Sequence, residues 1–80
     1  MYYAYVLKSK SFEFYYKGHC EDLEKRLKEH NAGRTKSTRP YLPYEVAYFE
    51  SFETEMESIK REKYFKTSAG RRYLKGKLKP

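Results

Sequence analysis

With a single cysteine, Cys20, a chain of 80 residues has one means of holding a fold together: a small apolar core. No internal disulfide is available, and one thiol with two histidines is too few for a structural zinc site. A chain this short buries only about 60% of its unfolded surface, so a single domain over residues 1–80 is expected. Leu, Ile and Val are few, whereas there are 10 Tyr, 5 Phe and no Trp. Tyrosine packs its ring while keeping its hydroxyl wet or bonded, which suits a small sheet; it also stacks on bases and serves as an acid or base. No run approaches the roughly 18 apolar residues of a membrane span, and no apolar run follows Met1 as in a secretory signal. A reduced, cytoplasmic protein with no membrane partner is expected.

Periodicity orders the chain. Residues 2–8, aromatic and branched, read as a strand, 8–13 as a polar turn, and Phe14–Lys17 as the returning strand ended by Gly18. Glu21–Asn31 reads as a helix stopped near Gly33, with Cys20 at the cap position. Its Leu23, Arg26, Leu27 and His30 fall within an arc of about 100°, while Glu29 falls with the charges on the other side. Arg34–Pro43 is a basic, hydroxyl-rich loop, and Glu45–Glu50 reads as a third strand. Thr54 and Glu57 have the spacing of a capping box and open a helix to about Thr67, with Ser58, Ile59, Glu62, Phe65 and Lys66 on one face. Ser68-Ala69-Gly70 is expected to break it, leaving a basic segment, 69–80, whose residues 71–78 form a short helix or fray. The class is α+β, a small antiparallel sheet with helices packed on it.

The net charge of +7 is unevenly placed. Residues 1–55 carry nine basic and nine acidic residues, whereas residues 56–80 carry nine basic residues against Glu57 and Glu62 alone. A basic segment on a small domain suits a polyanion, of which nucleic acid is the usual one; a solvated tail is the plainer reading.

Three polar residues, Arg26, His30 and Glu62, sit on faces that should be apolar, where an unpaired charge costs several kcal/mol. Either they are paired, with Arg26 or Lys66 against Glu62, or they face a ligand. No serine is matched to His30 by any sequence cue, and nothing supports a Cys20–His30 nucleophile pair. Glu62 suits one Mg²⁺ that keeps its waters and bridges to phosphate; Arg26 suits the charge developing on phosphorus; a tyrosine suits proton relay from water. Together they describe metal-assisted phosphodiester hydrolysis.

The chain resembles the GIY-YIG nuclease superfamily, in particular its small single-domain bacterial members. Tyr3-Ala4-Tyr5 and Tyr16-Lys17-Gly18 stand where the two signature motifs stand, and the ten residues between Tyr5 and Tyr16 are the family spacing. Residues 22–33 follow the pattern D-L-x-x-R-x-x-x-H-N-x-G, and Phe52-Glu53-Thr54 and Arg61-Glu62-Lys63 come next, with Lys66 four residues after Glu62. The resemblance covers residues 2–68. It implies a three-stranded antiparallel sheet flanked by helices, and Tyr5 and Tyr16 at the active site, one of them acting as or assisting the general base. It further implies Arg26 on the phosphate, Glu62 as sole protein ligand to one Mg²⁺ or Mn²⁺ ion, and His30 as a second-line acid or positioning group. His19, where some relatives have Lys, would modulate Tyr16. Tyr3, Ala4 and Lys17 depart from the motifs and read as tolerated changes, and no Asn follows Glu62 where many members carry one.

The expected activity is a divalent-metal-dependent endonuclease on DNA, structure-specific or in DNA repair, acting as a monomer. Lacking a separate binding domain, its own surface would hold the DNA through Lys66, Arg71, Arg72, Lys75, Lys77 and Lys79, with Arg34, Lys36 and Arg39 on the loop. The alternatives are a nucleic-acid-binding module that keeps the fold without cutting, and an adaptor that binds a partner protein through its tyrosine-rich sheet.

Overall fold

The computed structural model describes residues 1–78, so Lys79 lies outside the described residues. The elements run β1 (Tyr2–Ser9), β2 (Tyr15–Cys20), α1 (Leu23–Asn31), β3 (Tyr44–Phe52), α2 (Glu55–Phe65) and α3 (Ser68–Lys77), with one 3-10 turn at Arg39–Tyr41 between α1 and β3. All strand pairs are antiparallel and the order is β2-β1-β3. This is the expected α+β fold, a three-stranded sheet flanked by helices.

β1 is the central strand, helices cover both faces of the sheet over it, and its side chains alternate between two cores. Ala4 and Val6 join Phe65 and Leu74 beneath α2 and α3. Tyr5 and Leu7 join Tyr44 on the face that carries Leu23 and Leu27 of α1. The tyrosines supply the bulk that a short chain lacks in aliphatics, and their hydroxyls find partners. Tyr48 and Tyr73 donate to Glu50, which also takes Arg61 Nε at 2.7 Å. The Arg61 guanidinium lies over the rings of Tyr64 at 4.6 Å and Tyr73 at 4.9 Å, so one ion pair bolts α2 and α3 to β3.

Several boundaries differ from expectation for physical reasons. Gly18 does not end the second strand but lies inside it, paired with Tyr5. The first helix starts at Leu23, capped by Asp22 Oδ1 on the Lys25 amide at 3.0 Å, so Cys20 is the last residue of β2 and caps nothing. The Thr54–Glu57 capping box is present. Ser68-Ala69-Gly70 does not break the helix. The break is at Lys66–Thr67, and Thr67 caps a new helix by accepting from the Gly70 amide at 3.0 Å. The expected basic tail is therefore helix α3, anchored by buried Leu74 with its lysines and arginines outward.

Candidate active site

Two groups of side chains gather around β2, which is an edge strand, one group on each face of the sheet. On the α1 face, Tyr5 of β1 points at α1. Its ring passes over Gly18 so closely that a Cβ there would lie 2.5 Å from the phenol oxygen and 2.7 Å from Cζ. Tyr5 Oη lies 3.2 Å from His30 Nε2 and accepts from Arg26 Nε at 3.4 Å. Arg26 Nη1 donates to Glu29 at 3.2 Å. Tyr16 completes the group, its ring centroid 5.0 Å from that of His30 and 6.5 Å from that of Tyr5. The expected four, Tyr5, Tyr16, Arg26 and His30, are thus brought together. Glu29, expected among the solvent-facing charges, is instead half-buried against Arg26. Its place three residues after Arg26 was the available signal.

The electrostatics divide the two tyrosines. Burial pushes the Tyr5 phenol up to about 12, outweighing the favourable pull of Arg26, so Tyr5 stays protonated. Burial, with the nearby Arg26 charge, pushes His30 below its ordinary value, so its ring is neutral at pH 7. The Tyr16 hydroxyl makes no protein hydrogen bond among the described residues and is not buried. Burial pushes the half-buried Cys20 thiol up to about 11, which leaves it no thiolate for nucleophilic work.

On the α2 face, β2 and α2 run in step. Two strand residues advance about 6.6 Å and four helical residues about 6 Å, so residues 17 and 19 stand opposite 66 and 62. His19 Nδ1 is 2.5 Å from Glu62 Oε1, and Lys66 Nζ is 2.7 Å from Oε2. Of the two partners considered for Glu62, Lys66 is the one it takes; Arg26 is engaged with Tyr5 and Glu29. Burial raises the Glu62 pKa, but the hydrogen bonds from Lys66 and His19 outweigh it and hold the carboxyl below its usual value. Lys66 is raised chiefly by its bond to Glu62, with a smaller contribution from Tyr16. Lys17 is lowered by burial and by its neighbours Arg71 and Lys66. It makes no ion pair among the described residues, and the side chains bonded to Glu62 are His19 and Lys66. Strand alternation, which puts residue 17 on the face of residue 19, was the signal for Lys17.

Among the described residues no three of His, Cys, Asp and Glu converge on one point, so a closed metal cage is absent there. The donor chemistry of Glu62 fits a different arrangement. A carboxylate has lone pairs beyond its two present bonds, and a hard ion held by one carboxylate draws its other ligands from water and phosphate. Arg34 and Lys36 stand exposed on the α1–β3 connection, and Arg39 there donates its Nε–H to the Gly33 carbonyl at 2.8 Å, closing the end of α1. None of these three bonds to either group around β2. Arg72 is exposed on α3, as are Lys75 and Lys77.

Gly18→Ala is expected to cost about 1–3 kcal/mol of stability, because the Tyr5 ring must leave its place between His30 and Arg26. Urea denaturation reads the effect; a wild-type value would show that the close approach is unimportant.

The family model of the GIY-YIG catalytic domain matches residues 1–75. A UPF0213 protein of Staphylococcus saprophyticus is 38% identical over 74 residues, covering 91% of this chain and 89% of the relative. One from Clostridium perfringens is 46% identical over 67 residues, covering 82% and 71% respectively. The solution NMR structure of a UPF0213 protein from Bacillus halodurans superposes with a TM-score of 0.55 at 26% identity, covering 94% of this chain and 82% of that one.

Proposed function

Because the chain belongs to the GIY-YIG catalytic domain family, a family of nucleases acting on nucleic acid, we propose that it is a divalent-metal-dependent endonuclease hydrolysing DNA phosphodiester bonds. The observation that supports this most is the division of roles between the two tyrosines. Tyr5 is buried, protonated and committed to His30 and Arg26; the Tyr16 hydroxyl is accessible and bonds to no protein group among the described residues. Tyr16 is then the general base. As its phenolate it takes a proton from water, the water oxygen bonds to phosphorus, the phosphorus–oxygen bond to the leaving strand breaks, and the departing oxygen takes a proton from solvent. Tyr5 holds Arg26 with its remaining N–H groups turned to the phosphate, where they stabilise the negative charge of the transition state. Glu62 would hold the metal, Mg²⁺ or Mn²⁺ as a single ion, which when bound supplies Lewis-acid polarisation of the phosphate. His19 and Lys66 orient the Glu62 carboxylate.

Lys17, Lys66 and Arg71, with Arg72 beyond them, give the backbone of the DNA a seat that needs no base reading. Substrates defined by shape, such as branched or damaged DNA in repair, suit such a surface. A cytoplasmic monomer is the proposed state; no helix among the described residues is long and apolar enough to cross a membrane.

The experiment is a cleavage assay on supercoiled, single-stranded and branched DNA, with Mg²⁺, with Mn²⁺ and with EDTA. Cutting that requires metal and stops in EDTA is expected. Salt-sensitive binding with no cutting of any form would favour the binding-module reading, for which the occupied oxygens of Glu62 speak.

A further inference from the structure

The hydroxyl-rich connection between α1 and β3 contains one residue with no exposed surface, Thr38. Its side chain is not packing filler. Thr38 Oγ1 donates to the Thr35 carbonyl at 3.2 Å and lies 3.0 Å from His30 Nδ1. A hydroxyl has one proton, and a carbonyl can only accept. The Thr35 carbonyl also accepts from the Thr38 amide at 3.2 Å and the Arg39 amide at 3.0 Å; with the hydroxyl proton directed at Thr35, Oγ1 accepts from His30, which puts the ring proton on Nδ1. Nε2 is then a lone pair, and it accepts the Tyr5 proton across 3.2 Å. The Tyr5 oxygen is left as the acceptor for Arg26 Nε, a group that can only donate. The chain of bonds therefore has one direction, set by a donor-only end at Arg26 and an acceptor-only end at Thr35.

We propose that Thr38 is a positioning residue that fixes the His30 tautomer and, through Tyr5, the orientation of the Arg26 guanidinium. The proposal rests on the nuclease reading for its effect on rate, but not for its effect on the ring. Without the Thr38 hydroxyl the Nδ1 proton has no acceptor in a fully buried site, and the tautomer with the proton on Nε2 becomes favoured. That proton points at the Tyr5 oxygen. Tyr5 must then turn its own proton toward Arg26, donor against donor, and the guanidinium loses its anchor.

The test uses the full chain. Long-range proton–nitrogen correlation spectra at pH 7, without DNA or metal, read the His30 tautomer directly. In the wild type the proton is expected on Nδ1; a proton on Nε2, or on both nitrogens, overturns the proposal. Thr38→Val keeps the shape and removes the hydroxyl. It is expected to move the proton to Nε2 and to lower kcat by roughly tenfold or more with KM little changed, as the loss of a partner that orients a histidine does. Thr38→Ser, which keeps the hydroxyl, is expected to retain the wild-type tautomer and rate. A folded Thr38→Val with the wild-type tautomer, or a Thr38→Ser that behaves like it, overturns the proposal. If the wild type cuts no DNA, the nuclease reading fails while the tautomer still decides the role of Thr38.

Discussion

Glu62→Gln is expected to lower cleavage by at least about a thousandfold while leaving the fold intact and DNA binding undiminished. Loss of a metal's charge stabilisation, worth several kcal/mol, is about a thousandfold at ~1.4 kcal/mol per decade. Glutamine has the shape of glutamate and can still accept from Lys66 or His19, so α2 stays docked on β2. What it lacks is the negative charge, and in the native protein that charge is secure. Burial pushes the Glu62 pKa up, but the bonds from Lys66 and His19 bring it below the ordinary carboxylate value, so the group is ionised at neutral pH. The linkage has a definite sign. A depressed folded-state pKa contributes stability above the unfolded value, and that contribution is lost as pH falls through the folded value. The Gln variant should therefore show less loss of stability on the acid side. It also leaves Lys66 without its carboxylate partner, so salt-titrated DNA binding should be as tight as wild type or tighter. Cleavage at the wild-type rate would remove Glu62 from the metal role; a parallel loss of binding would mean that the fold had been damaged.

Gly70→Ala is expected to destabilise the protein by about 3 kcal/mol, a large part of the total for a domain of this size. Gly70 lies in the first turn of α3, where helix propensity alone predicts that Ala would stabilise by about 1 kcal/mol. Packing reverses the sign. A Cβ there would stand 1.8 Å from the Tyr64 carbonyl oxygen and 2.8 Å from the Phe65 Cα, both backbone of the last turn of α2. No rotamer relieves an overlap with backbone, so α3 must lift away and uncover Leu74 and Phe65. Gly76→Ala, in the same helix with nothing within 4 Å, is the control and should be neutral or stabilising. Urea denaturation of the two variants reads the difference. A Gly70→Ala protein as stable as Gly76→Ala would show that α3 does not dock as described.

Gly18 and Gly70 illustrate how much was legible beforehand. The order strand, strand, helix, strand, helix was readable because the aromatic and branched run in residues 2–8 and the 3.6-residue period in residues 23–30 and 58–65 are local properties. The Thr54–Glu57 box was readable for the same reason, since both partners lie within one helical turn. The boundaries that went wrong turned on partners distant in sequence. Gly18 looked like a strand end, yet it continues β2 because the Tyr5 ring needs the space. Gly70 looked like a helix breaker, yet it lies inside a helix because α2 crosses it closely.

For the site, the residues themselves stood out because charged and imidazole groups lay on apolar faces, and their spacing resembled that of a known family. Their division into two groups on opposite faces of β2 was not visible, although strand parity placed residue 16 and residues 17 and 19 on different sides. By itself the sequence determined which groups exist and which local elements carry them, since those depend on the order and period of neighbouring residues. Only the tertiary structure decided which tyrosine is buried, which cation pairs with Glu62, and which groups meet the two nitrogens of His30. Those outcomes depend on desolvation and on donors and acceptors brought from β1, α1, α2 and the loop to within hydrogen-bond distance, and no local pattern encodes that meeting.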